Sequence, residues 1–335
     1  MAFKISQRGR LAPFLALDVL ATATALEREG RDIVHLEIGQ PSTPAPKAAL
    51  ESARRALDET NIGYTVAAGL PELRQRISDW YRQRYGARVP IERILITQGS
   101  SGAFQLAFLA AFEAGDKVAL AAPCYPAYPK ILRTLGIEPV FLKARPEDAF
   151  QPTPEVMAEA VAEHGALDGL IVANPNNPTG AMVHQDALTA LMDWCDANEV
   201  RVIADEIYHG ISFGGEETTI VENPHSVVIN SFSKYFSMTG WRLGWMVVPE
   251  DMVQTVERLQ QSLAICAPSI SQFAAIGAFD GIQELESNVA RYRENRQILL
   301  DGLAETGLTQ LAPADGAFYI YAGVEGVAGD SSTFA

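Results

Sequence analysis

Seven short apolar runs, each closed by turn-forming residues, limit what this chain can fold into. They lie at residues 94–97, 118–121, 139–142, 169–173, 202–204, 227–229 and 243–248. The first four are apolar at successive rather than alternate positions. Strands of that kind are buried on both faces, which predicts a mostly parallel sheet between layers of helix. Amphipathic stretches fill the gaps. Residues 154–164 follow Thr153 as an N-cap and begin with Pro154 at the first helical position. Residues 186–198 bring Leu188, Leu191, Met192 and Cys195 onto one face. Strands threaded by helices in this way predict an α/β fold with a seven-stranded, mostly parallel sheet over residues 47–281. The two chain ends read differently. Residues 1–46 hold one helix and the turn-rich "GQPSTPAP"; a long helix covers 284–305, and "GAFYIYAGV" (316–324) reads as a strand. Together 1–46 and 282–335 predict a second, smaller α+β domain.

The balance of 26 Lys and Arg against 41 Asp and Glu gives a net charge of −15. Such a surface repels a phosphate backbone, so nucleic acid is not an expected partner. A small anionic ligand remains possible, because a few local cations can hold one. Cys124, Cys195 and Cys266 lie far apart, with neither a disulfide framework nor zinc-ligand spacing. Lys4, Arg8 and Arg10 before an apolar stretch imitate a signal peptide, but Pro13 and Asp18 interrupt it. The pattern continues as a helix with Leu15, Val19, Thr22 and Leu26 on one face. No apolar run approaches membrane-spanning length, so the expected location is the cytoplasm.

Four motifs carry chemistry. "TQGSSGAF" (97–104) follows a strand and opens a helix, where free backbone N–H groups and the positive helix end favour a phosphate; it also reads as a plain helix cap. "NPNNPTG" (174–180) follows another strand and presents Asn177 as an amide donor where open α/β sheets bind ligands, or forms only a stiff turn. "ADEIYHG" (204–210) places Asp205 at a strand end and Tyr208 three residues on. Glu206 and His209 have i,i+3 ligand spacing, but no second such pair exists in the chain, so no metal is expected. "SFSKYFSMTGWRLGW" (231–245) sets Ser231, Ser233 and Lys234 after a strand, with Arg242 further on. Burial and a nearby cation lower an amine's pKa and make it a usable nucleophile. A planar guanidinium matches a phosphate.

Each motif alone has a bland reading. Jointly, a nucleophilic lysine, a carboxylate, a phosphate cradle and an Asn–Tyr pair of donors at successive strand ends fit pyridoxal 5′-phosphate.

These residues resemble the class I and II aminotransferases, the fold-type I pyridoxal-phosphate enzymes related to aspartate aminotransferase. The likeness runs in order from about residue 30 to 321 and rests on "NPNNPTG", "DEIY" and "SFSK" with "GWRLGW". It implies that Lys234 carries the cofactor as an aldimine and moves the proton, and that Asp205 pairs with the ring nitrogen. Asn177 and Tyr208 would bond the ring's 3-oxygen, and Ser100, Ser101, Ser231 and Arg242 would hold the phosphate. Tyr125 would stack on the ring. Gly39 and Asn177 would face the substrate carboxylate. Tyr64 would reach the phosphate of a neighbouring subunit, which implies a homodimer with shared sites. The substrates would be an α-amino acid and a 2-oxo acid.

One departure stands out. The family clamps the α-carboxylate with an arginine several tens of residues beyond the segment matching "GAFYIY". Here the last arginine is Arg296, and residues 301–335 hold five acidic side chains and no basic one. On this reading the chain is C-terminally shortened relative to the family. Two alternatives stay open: a β-lyase on the same scaffold, because Lys234 and Asp205 serve both chemistries, and a cofactor-binding protein without turnover, because of the missing arginine.

Overall fold

All seven apolar runs become strands of one sheet. The structure, a computed structural model, describes residues 3–329 and 331. The strands are β1 (Ile94–Thr97), β2 (Lys117–Ala121), β3 (Glu138–Leu142), β4 (Gly169–Ala173), β5 (Arg201–Asp205), β6 (Val227–Ser231) and β7 (Gly244–Val247). Their order is β1-β7-β6-β5-β4-β2-β3. β7 runs antiparallel to β1 and β6, and the other pairs are parallel. The exception has a local cause. The connection from β6 to β7 carries the Lys234 turn and no crossover helix, so the chain returns beside the strand it has just left.

The helices are α1 (Leu15–Arg28), α2 (Lys47–Glu59), α3 (Pro71–Tyr85), α4 (Gly99–Ala111), α5 (Ala127–Leu135), α6 (Pro154–His164), α7 (Gln185–Ala197), α8 (Val253–Leu263), α9 (Ser269–Ala278) and α10 (Ile282–Glu305), and those after α1 supply the buried residues that pack on the sheet's two faces. The Thr153 hydroxyl caps α6 by accepting from the Val156 N–H at 3.3 Å. The α7 residues expected to share a face are its buried ones. Because strand side chains alternate, the sheet feeds two cores. In β7, Trp245 and Val247 join one and Met246 the other. α2 and α9 pack closely through small residues: a Cβ on Gly277 would lie 2.5 Å from the Ala48 carbonyl oxygen.

One expectation at the chain ends changes. Residues 316–324 form no strand, only the isolated bridges Ser212–Gly316 and Leu311–Ala322. Their backbone is engaged elsewhere: the Gly316 N–H donates to the Gly180 carbonyl at 2.8 Å and the Ala317 N–H to the Ile211 carbonyl at 2.9 Å. Ala317 adopts φ +58°, which breaks extension. In α1 the expected apolar face points outward, with Leu15 72% and Val19 50% exposed, while Ala23 is buried. Among the described residues, none buries that face.

The carboxyl ends of β1, β2, β4, β5 and β6 all open onto one edge. Register sets them level: Ala173 pairs with Asp205, Asp205 with Ile229, and Ser231 with Gly244. The four motifs and Tyr125 leave from this edge.

Candidate active site

Lys234 is fixed by its neighbours. Phe232, Tyr235 and Phe236 are buried among Trp80, Trp245 and Phe279. Those anchors leave the lysine side chain to project the other way. Its Nζ donates to the Gly39 carbonyl at 2.5 Å and lies 5.5 Å from the Tyr208 ring centre and 5.9 Å from that of Phe318. Burial pulls the ammonium down to about 8, Arg242 adding to the fall and Asp205 opposing it. A sizeable fraction of this amine is therefore neutral near pH 8.

Asp205 ends β5 in full burial. Its Oδ1 accepts from the Ile207 N–H at 3.1 Å, and its Oδ2 accepts from the Tyr128 hydroxyl. Burial lifts the carboxyl to about 6, against the downward pull of Tyr128, the Ile207 N–H and the Lys234 charge. Tyr208 follows on a turn and is buried, its hydroxyl 2.5 Å from that of Tyr319. The Asn177 amide donates to the same Tyr319 hydroxyl at 3.2 Å. Asn177 is held by a self-braced loop, in which Asn174 exchanges two hydrogen bonds with Val183 and the Gly180 N–H bonds the Asn176 carbonyl.

Behind Tyr208 lies a buried charged cluster. Glu217 accepts from Arg84 at 2.8 Å, from the Gly210 N–H at 2.5 Å and from the Ser212 hydroxyl. Burial alone would raise this carboxyl, but the charges of His209 and Arg84 and these hydrogen bonds bring it to about 2. Glu206 and His209, the pair with ligand spacing, belong to this cluster. Glu206 accepts from Thr219 and the Ile220 N–H, and His209 Nδ1 meets the Tyr85 hydroxyl at 2.8 Å.

A phosphate-sized anion has a cradle at the start of α4. The helix has no side-chain N-cap, so its first N–H groups are open. Arg242 lies against them: a Cβ on Gly99 would fall 2.6 Å from Arg242 Nη2, and one on Gly244 would fall 3.0 Å from the Ser100 nitrogen. Two glycines thus bring a guanidinium and a helix N-terminus together. Ser100 is half-buried and Ser101 exposed at this turn. The Ser231 hydroxyl is buried and bonded to Ser233 and to the Leu243 carbonyl. Half-buried Tyr125 packs edge-on against Tyr128 with ring centres 5.4 Å apart. The cradle, the buried carboxylate and the half-buried amine fit pyridoxal phosphate.

Lys234, Gly39, Tyr208 and Asn177 are linked through direct contacts or through Tyr319; Asp205 acts on Lys234 through its charge, and Arg242 lies against the α4 start that carries Ser100 and Ser101. Tyr64 is 83% exposed and meets none of them within this chain. The sequence reading missed Tyr128 and Tyr319. Tyr128 carried a signal, its i,i+3 spacing from Tyr125. Tyr319 carried none, since its Asn177 contact spans 142 positions.

The sequence matches the family described as aminotransferase class I and II over residues 31–333. The chain belongs to that family. It is 44% identical to the valine–pyruvate aminotransferase of Mycobacterium tuberculosis, over 100% of this chain and 87% of that protein. It is 32% identical to the aspartate/prephenate aminotransferase of Thermus thermophilus, over 96% of this chain and 84% of the relative. A crystal structure of an aminotransferase from Mycobacterium tuberculosis superposes with a TM-score of 0.96 at 44% identity, covering 99% of this chain and 87% of that one. The aspartate aminotransferase from Thermus thermophilus with maleate gives 0.93 at 30% identity, covering 99% and 88%. The protein is a pyridoxal-phosphate-dependent aminotransferase acting on amino-acid and 2-oxo-acid substrates. These relatives favour neither the lyase nor the turnover-free alternative.

Proposed function

We propose that the chain moves an amino group between valine, or an amino acid of similar shape, and pyruvate, with Lys234 as the cofactor-bearing amine. The observation that carries the site assignment is the half-buried Lys234 amine, held on the Gly39 carbonyl, lowered to about 8 and sharing the sheet's carboxyl edge with Asp205. The substrate follows from the 44% identical relative named for valine and pyruvate.

When bound, pyridoxal phosphate supplies an electron sink for the charge left on the α-carbon. Asp205 would hold the ring nitrogen, its negative charge keeping that nitrogen protonated. Asn177 and Tyr208 would direct hydrogen bonds to the ring's 3-oxygen, and Tyr125 would cover one face. The α4 N–H groups, Ser100, Ser101 and Arg242 would hold the phosphate, and Ser231 would support it from β6. Lys234, neutral in part near pH 8, would accept the α-proton at Nζ and return it nearby. Such base catalysis contributes about 10²–10⁴-fold. Gly39 and Asn177 would face the substrate carboxylate.

The reading includes a homodimer. Leu15, Leu17 and Val19 on α1, Val34 and Leu36 just after it, and Tyr64 beyond α2 are each at least half exposed. Apolar surface of this extent favours a second copy, and Tyr64 would then reach the partner's phosphate. The domain division at 47–281 accompanies the reading: Gly39 and Tyr319 come from outside that body and meet Lys234 and Asn177 from within it. A cytoplasmic location accords with three free cysteines. Among the described residues no helix is long and apolar enough to cross a membrane.

The test is a panel of amino donors mixed with cofactor-loaded protein and followed by absorbance. Valine should convert the cofactor to its aminated form, and pyruvate should restore the starting spectrum. Release of ammonia or thiol without an aminated cofactor would contradict the proposal, as would a spectrum that no amino acid changes.

A further inference from the structure

We infer that Tyr319 is a substrate-binding residue, its hydroxyl donating a hydrogen bond to the α-carboxylate between Gly39 and Asn177. The inference rests on the aminotransferase reading and adds a residue to it. The Tyr319 hydroxyl stands over the Gly39 backbone, where a Cβ would come within 1.9 Å of it. It accepts from the Asn177 amide at 3.2 Å and shares a hydrogen bond with Tyr208 at 2.5 Å. One hydroxyl therefore borders both residues assigned to the carboxylate and one assigned to the ring oxygen.

Hydrogen-bond capacity then decides its role. A phenol has one proton to give. With Tyr208 turned to the ring's 3-oxygen, the Tyr319 proton is free to point at a carboxylate over Gly39. Burial, with Tyr125 and Asp205 adding to it, pushes this phenol up to about 12, so it remains a donor throughout the working range. The position is built in advance. Gly316 bonds the Asn177 loop through Gly180, and Ala317 bonds the Tyr208 turn through Ile211. The Phe318 ring packs edge-on against Tyr208 at 5.5 Å. Tyr319 is itself half-buried, which leaves it open to a ligand.

The alternative is a brace that only orients Tyr208. The cofactor-loaded enzyme and its Tyr319→Phe variant distinguish the two, with valine and with isobutylamine, which has the same side chain and no carboxylate. The inference predicts normal cofactor content and an unshifted pH titration of the cofactor's colour. The Kd for valine should rise about 10- to 100-fold, the loss of one hydrogen bond to a charged group, while isobutylamine binds as before. Equal weakening of both amines, no weakening of either, loss of cofactor, or a shifted colour titration with valine affinity unchanged would each overturn it. Failure of the aminotransferase reading would show separately, as wild-type protein that takes up no cofactor or never reacts with an amino acid.

Discussion

Asp205 is costly to the empty protein, and replacing it by asparagine should show this as a pH-dependent gain in stability. Burial raises its carboxyl from 3.8 to about 6 in the folded chain. The sign follows from that direction. Below pH 3.8 the group is protonated in both folded and unfolded states and costs nothing. As pH rises towards 6 the unfolded chain ionises freely while the folded one resists, and above 6 the full penalty applies. A shift of about 2 units corresponds to about 3 kcal/mol. Asp205→Asn can keep both contacts, its oxygen accepting from the Ile207 N–H and its amide donating to the Tyr128 hydroxyl. The cofactor-free variant should therefore be more stable than wild type by about 3 kcal/mol at pH 8 and by about half that at pH 5. Urea denaturation of cofactor-stripped protein at the two pH values measures the difference. Saturating cofactor should shrink or reverse the gain, because it stabilises the form that binds it better, and proton transfer in the half-reaction should slow severely. A variant no more stable than wild type at pH 8, or a gain equal at both pH values, would refute the reasoning.

Three further outcomes are expected. Tyr128→Phe removes the hydroxyl that pulls Asp205 downward; the carboxyl should rise by about 1–2 units, seen as an alkaline shift in the acid limb of the transamination pH profile. Glu217→Gln should cost about 3 kcal/mol at pH 7, because the carboxyl lies at about 2 rather than 4.5; its stabilisation is present above 4.5 and fades as pH falls towards 2, so melting at pH 7 and pH 3 should show a large and a small deficit. Gly99→Ala puts a methyl 2.6 Å from Arg242 Nη2 at a residue with φ +68°; displacing that guanidinium should weaken cofactor binding about tenfold, measured by fluorescence titration.

How much was legible depended on range. The strands were visible because β1 and β4 are buried throughout, and burial on both faces leaves an unbroken apolar run in the sequence. Asp205, Asn177 and Lys234 were legible because each closes such a run or follows soon after it, so local order fixed their place on one edge. The segment 316–324 misled for the opposite reason. Its β-forming composition is real, but its partners are two distant turns, and Ala317 takes a left-handed conformation that no local signal announces. Tyr319 was hidden by the same distance. The outward face of α1 showed in the sequence as amphipathicity, but a helical period alone does not say which way the apolar side turns.

The central claim is that Lys234 is the amine that holds the cofactor. Borohydride reduction of the cofactor-loaded protein, followed by proteolysis and mass spectrometry, tests it directly. The account predicts one pyridoxyl-modified peptide per chain, carrying the label on Lys234, and none in Lys234→Ala. A label on another lysine, or the same stoichiometry of labelling in the variant, would contradict it.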